Sequence, residues 1–120
     1  MEKGNKDPLL KGLKVIDAAS FIAGPSAATI MSDYGAEVIK IEPESGDSLR
    51  NLIANGRMPE GPENYCWELT SRNKKSISLN LKNQEAHKIL INLVKEADVF
   101  ITNMRFPVRK KLNITEEDIR

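Results

Sequence analysis

LKVIDAASFIAGPSAATIMSDYGAEVIKIEP, residues 13–43, is the stretch on which the fold turns. Leu13-Lys14-Val15-Ile16-Asp17-Ala18-Ala19 is a short apolar run suited to a buried strand. Gly24-Pro25-Ser26 then opens a helix, because proline is favoured in a first turn where its missing N–H costs nothing. Apolar residues recur at Ala27, Ile30, Met31 and Tyr34, spaced as one face of a helix. Gly35 stands where a left-handed helix stop is expected. Glu37-Val38-Ile39-Lys40-Ile41-Glu42 is a second strand, ended by Pro43. A short helix between two strands predicts a parallel pair with a right-handed crossover.

A similar unit lies further along. Ser76-Ile77-Ser78-Leu79-Asn80-Leu81 alternates polar and apolar, as a strand with one buried face does. Asn83 can cap the helix that follows, and Ala86, Ile89, Leu90, Leu93, Val94 and Ala97 mark its apolar face. Asp98-Val99-Phe100-Ile101-Thr102-Asn103 is the next strand. Between the units, residues 43–64 hold Pro43, Gly46, Gly56, Pro59, Gly61 and Pro62, which punctuate a long loop. A loop of this length is expected to be mobile or functional, with one short helix around Leu49, Leu52 and Ile53. Tyr65-Cys66-Trp67-Glu68-Leu69 returns toward the core. Residues 1–12 read as a flexible N-terminal arm, with Leu9 and Leu10 as a docking point. No fixed-period repeat occurs.

Composition narrows the class. The chain has 120 residues, 40% hydrophobic and 29% charged, with 18 basic residues against 17 acidic. That balance disfavours a strongly basic nucleic-acid binder or an acidic disordered tail. A single cysteine excludes an internal disulfide and a multi-cysteine zinc site. No apolar run is long enough for a membrane helix, and Met1 to Gly12 lacks the apolar region of a signal peptide. The expectation is a cytoplasmic protein. Thr115-Glu116-Glu117-Asp118 opens a helix by the capping-box pattern, yet the chain ends one turn later. The expectation is therefore a chain cut within a larger domain.

The candidate chemistry is sparse. Arg72, Lys74, Lys75 and Lys82 lie in one acid-free stretch; Arg105, Arg109, Lys110 and Lys111 lie in another. Both fall near strand ends, the edge where open α/β sheets bind ligands, and together they suit a polyphosphate. The alternative is a solvated basic face. Neither G-x-G-x-x-G nor a Walker A loop is present. His87, the only histidine, reads as a boundary surface residue, and Cys66 as a packed thiol. Asp17 fits a turn or cap at least as well as a site. Glu42 and Glu44, beside Pro43, are expected to be exposed. The residues alone support an α/β domain with a phosphate-bearing ligand, and no catalytic dyad or triad.

Several stretches in order resemble the N-terminal part of the family III CoA-transferases, which include formyl-CoA, carnitine and bile-acid CoA-transferases and the related α-methylacyl-CoA racemases. They are Pro8-Leu9 with Gly12-Leu13-Lys14-Val15-Ile16-Asp17, then Ala23-Gly24-Pro25, then Asp33-Tyr34-Gly35-Ala36-Glu37-Val38-Ile39-Lys40-Ile41-Glu42-Pro43 with Gly46-Asp47. After the loop come Asn73-Lys74-Lys75-Ser76-Ile77, Leu79-Asn80-Leu81-Lys82, and Ala97-Asp98-Val99 with Asn103. The resemblance spans about residues 8–120 and places 13–120 in the N-terminal part of the large domain. It implies a Rossmann-like α/β fold, a mostly parallel sheet with helices on its faces, incomplete in an N-terminal segment. It also implies an interlocked homodimer, no metal, and coenzyme A and a carboxylic acid as substrates. In that chemistry an aspartate attacks the donor thioester, and CoA thiolate converts the mixed anhydride to an aspartyl-CoA thioester. The racemases instead exchange an α-proton.

Carried over position by position, the resemblance implies CoA contacts at Ile22 and Ala23, Pro43, Leu79, Asn80, Leu81 and Lys82, Asn103, Met104 and Arg105, and Lys111. Ile22 stands where the family often has a polar residue, and Pro43 where it sometimes has arginine. Met104 keeps apolar bulk against an adenine without an aromatic stack. Phe106-Pro107 replaces the usual Pro-Gly. Lys111 replaces an arginine, keeping charge but losing the bidentate fork. The family nucleophile lies beyond Arg120; neither Asp98 nor Asp118 matches it. The resemblance therefore implies that the segment alone is inactive. Beside the transferase reading stand a racemase or isomerase segment, a non-catalytic CoA or nucleotide-binding fragment, and a structural fragment with an open sheet edge.

Overall fold

The computed structural model describes residues 7–120. The first half of the expected flexible arm, residues 1–6, falls outside the described residues; of its described part, Leu10 donates its N–H to the Tyr34 carbonyl at 2.9 Å and packs on the core, while Leu9 is exposed.

The elements follow in the order β1 (Lys14–Asp17), α1 (Ala23–Asp33), β2 (Glu37–Glu42), a 3-10 turn (Ser48–Asn51), α2 (Tyr65–Ser71), β3 (Lys75–Ser78), α3 (Gln84–Lys95), β4 (Val99–Ile101), α4 (Phe106–Lys111) and α5 (Glu116–Ile119). The four strands form one sheet in the order β3-β2-β1-β4, and each neighbouring pair is parallel. Val15 sits opposite both Val38 and Val99. Parallel strands are covered on both faces, so successive side chains enter different layers. Val15 and Val38 pack with Ala28 of α1; Ile16 and Ile41 pack with Leu90 of α3 and with Ile114. By the same alternation Asp17, Lys40 and Glu42 fall in the α1 layer, at its C-terminal end.

Several local readings need correction. The inward face of α1 is Pro25, Ala28, Thr29 and Ser32, whereas Ala27, Ile30 and Tyr34 are exposed. The rotation has a polar cause. Thr29 Oγ1 donates to the carbonyls of Pro25 and Thr70, tying α1 to the end of α2, and Ser32 Oγ donates to the Thr29 carbonyl. On α3, Ile89 is likewise exposed while its neighbours Ala86, Leu90, Leu93, Val94 and Ala97 face the core. Asn83 caps α3 by accepting from the Glu85 and Ala86 N–H groups. Glu42 is 5% exposed, not a surface carboxylate. The pattern reading also missed α4, which has no side-chain cap and no buried residue to set an apolar period. Asp118 completes the predicted capping box by accepting from Thr115 N and Oγ1.

Candidate functional site

The chain builds β1, β2 and β3 outward in one direction, then returns to place β4 on the other side of β1. The loops after β1 and β4 therefore diverge at a topological switch point, where open parallel sheets form a crevice. Asn103, just beyond β4, bridges it: its Oδ1 accepts from Ser20 N at 3.0 Å and its Nδ2 donates to Ser20 O at 2.7 Å.

The positions carried over from the resemblance all lie along this C-terminal edge or on α4 beside it. Ile22 and Ala23, at the start of α1, are exposed, as is Pro43 after β2. Leu79 is buried in the core, so its side chain faces away from solvent, and Leu81 is half-buried. Asn80 turns the chain after β3: its Oδ1 accepts from Lys82 N, and its Nδ2 donates to Glu44. Met104 is half-buried against the core, and Arg105 is the exposed residue before α4. Lys82 and Lys111 line one recess of about 510 Å³, although 29 residues separate them. Ser20, Phe21 and Pro43 line a second recess, of about 560 Å³.

The first acid-free basic stretch is not a free cationic patch. Arg72 makes a bidentate pair with Asp33, Lys75 pairs with Glu37 at 2.7 Å, and Lys74 pairs with Asp17 at 2.9 Å. The acids come from β1, α1 and β2, so a scan of neighbouring residues does not find them. Of that stretch only Lys82 makes no ion pair among the described residues. Arg105, Arg109, Lys110 and Lys111 also make none there. Of the two basic stretches, the cations left for an anionic ligand are thus Lys82, Arg105 and the three cations of α4.

Beneath the loop after β1 lies a set of charges the sequence did not announce. Asp17, Lys40, Asp47 and Lys74 each have side chains no more than 2% exposed. Lys74 donates to Asp17 Oδ2, to the Pro25 carbonyl at 2.7 Å and to the Thr70 carbonyl at 2.8 Å. Burial lowers its pKa, and the Asp17 carboxylate works against that shift. Lys40 donates to the Ala19 carbonyl at 2.9 Å and stands 3.2 Å from Asp47 Oδ2. Nearby, burial pushes the Glu42 carboxyl up, but the Arg50 guanidinium, the Ser76 hydroxyl and the Asp47 N–H outweigh it and hold it at about 2. Arg50 also stacks on Trp67, 3.5 Å from the ring centre.

His87 is half-buried beside Lys82 and Lys111, with Nε2 donating to the Asn113 carbonyl at 2.9 Å. Cys66 is a half-buried free thiol. Among the described residues no group of three or more His, Cys, Asp or Glu side chains could hold a metal, and no helix is long and apolar enough to cross a membrane.

Known proteins are similar to this chain in sequence and in fold. A (R)-2-hydroxy-4-methylpentanoate CoA-transferase of Clostridioides difficile is 43% identical over 113 residues, covering 93% of this chain and 28% of that protein. A cinnamoyl-CoA:phenyllactate CoA-transferase of Clostridium sporogenes is 41% identical over 117 residues, covering 97% of this chain and 28% of that protein. The chain thus spans under a third of these relatives. In structure it resembles a CaiB/BaiF family protein from Brucella suis, with a TM-score of 0.81 and 30% identity over 95% of this chain and 30% of that one. Residues 10–120 match CoA-transferase family III from end to end of the sheet described above, and the chain belongs to that family.

Proposed function

We propose that this chain is the N-terminal part of an enzyme that moves CoA from an acyl-CoA to a carboxylic acid, and that its share of the work is to hold the CoA. The observation that carries this reading is the recess shared by Lys82 and Lys111. Both are exposed and make no ion pair among the described residues, whereas Arg72, Lys74 and Lys75 of the same basic stretches are taken by carboxylates. An ammonium beside a phosphate offsets its charge without the directional fork of arginine. Arg105 and the polar turn at Asn80 extend the same edge, and Met104 offers an apolar wall. Ile22, Ala23, Pro43 and the backbone of Leu79 and Leu81 complete the proposed contact set.

The transfer itself needs a carboxylate nucleophile, which we place beyond Arg120. It attacks the donor thioester and expels CoA thiolate; the thiolate then attacks the enzyme's carbonyl of the mixed anhydride and releases the donor acid. The acceptor carboxylate repeats these two steps in reverse order, leaving the nucleophile free. Holding CoA by its phosphates keeps the departed thiolate close enough to return, an advantage of proximity rather than of chemistry in this chain. We further propose a cytoplasmic homodimer. Residues 1–120 alone should show neither transfer nor a hydroxylamine-trapped acyl-enzyme. Calorimetric titration of the full-length protein with CoA tests the binding role: saturable binding weakened by Lys82→Gln and by Lys111→Gln supports it, and binding indifferent to both refutes it.

A further inference from the structure

The loop after β1 is a short excursion whose ends touch. A Cβ on Gly24 would lie 2.3 Å from the Ala19 Cβ, so only glycine lets the chain close there. At its tip Phe21 has φ +68°, in the left-handed region that a residue with a Cβ occupies only when its surroundings hold it. Those surroundings can be named peptide by peptide. Lys40 takes the Ala19 carbonyl. Asn103 takes both the N–H and the carbonyl of Ser20. Asp47 accepts the Phe21 N–H at 3.1 and 3.3 Å, while its Oδ1 also accepts Leu49 N at 2.9 Å. The loop's own side chains, Ser20, Phe21 and Ile22, are exposed at the edge proposed to meet CoA.

Buried charges are a poor way to gain stability, since apolar residues of equal volume commonly do as well. Here the charges instead determine which backbone shape an exposed, strained loop takes. We propose that Asp47, backed by Lys40 and joined from the β4 side by Asn103, is a positioning residue that preorganises Ser20–Ala23 for acyl-CoA; the inference rests on the function proposed above. A loop released from its left-handed tip would spend only part of its time in the binding shape, and apparent affinity falls in proportion to that fraction.

The test uses the full-length protein, with Asp47→Asn and Asn103→Ala compared with wild type. KM for the acyl-CoA donor should rise roughly tenfold with kcat within about threefold, as expected if the competent loop fraction drops to about a tenth. Amide exchange at Ser20 and Phe21 should quicken in the same variants. A purely structural role would instead lower the active fraction, cutting kcat and leaving KM unchanged, and that result overturns the proposal. If Asp47→Asn fails to fold, Asn103→Ala decides through amide exchange at Ser20 and Phe21, because a lost CoA contact at Asn103 would raise KM without loosening the loop. Wild type that neither binds CoA nor turns over acyl-CoA overturns the function as well; wild type that binds, with both variants binding equally, overturns the positioning role only.

Discussion

Lowering the pH from about 5 to about 2 titrates one buried carboxylate on which the edge after β2 depends. Glu42 accepts from Arg50 Nε and Nη2, both at 2.7 Å, from Ser76 Oγ at 2.6 Å and from Asp47 N at 3.0 Å. Burial raises its pKa, but these donors prevail and hold it at about 2. In the unfolded chain a glutamate titrates near ~4.3. A gap of roughly two units is worth about 3 kcal/mol. The Arg50 side chain is 40% exposed, so water screens part of this and about 1–2 kcal/mol is the share to expect. The folded value lies below the unfolded one. The stabilisation is therefore complete above about pH 5 and is lost as the pH falls toward 2. Glu42→Gln removes the titrating group. Wild type should exceed it by about 1–2 kcal/mol at neutral pH, and the gap should close across that acid window. Denaturant unfolding at stepped pH reads the gap, and carbon NMR of the labelled carboxyl reads the titration directly. A Glu42 carboxyl titrating at about 4 or above, or a gap that does not change with pH, would refute the reasoning.

Gly24→Ala should cost about 1–3 kcal/mol, because the new methyl must displace Ala19; the thermal midpoint measures it, and an unchanged midpoint contradicts the close approach. Lys74→Met should cost about 3–5 kcal/mol, since it leaves the buried Asp17 carboxylate with Lys40 Nζ, 3.6 Å away, as its one cation and the Ala19 N–H, at 3.2 Å, as its one close donor among the described residues. Adding Asp17→Asn to it should recover part of that loss, which a double-mutant cycle in denaturant would show. Lys82→Gln and Lys111→Gln should each weaken CoA about tenfold at low salt and less at high salt, because exposed pairs are screened.

The two strand–helix–strand units were legible because a buried parallel sheet demands apolar runs, and because Pro25, Gly35 and Asn83 punctuate the helices. The face of α1 was not. Thr29 and Ser32 point inward to carbonyls of residues some 40 positions away, and no local period encodes that. The same distance defeated the charge reading. Lys74 and Lys75 look free beside their neighbours, yet the sheet sets them against Asp17 and Glu37. Glu42 looked exposed because Pro43 and Glu44 follow it, whereas Arg50 and Ser76 close over it only in the fold. Of the candidate site, Lys82 and Lys111 were legible as charges in the two acid-free stretches, and the family resemblance marked them as CoA contacts. The cradle of Asp47 and Lys40 under the β1 loop was not, since its partners are backbone groups.

CoA transfer by the full-length protein is the measurement that bears most directly on the whole account. Wild type and the Lys82→Gln, Lys111→Gln double variant would be given an acyl-CoA deuterated at its α-carbon and a second carboxylic acid. The account predicts that wild type moves CoA to the second acid with the α-deuterium retained, and that the double variant needs far more donor to do so. Washout of the α-deuterium without transfer, or transfer that is indifferent to both lysines, would contradict it.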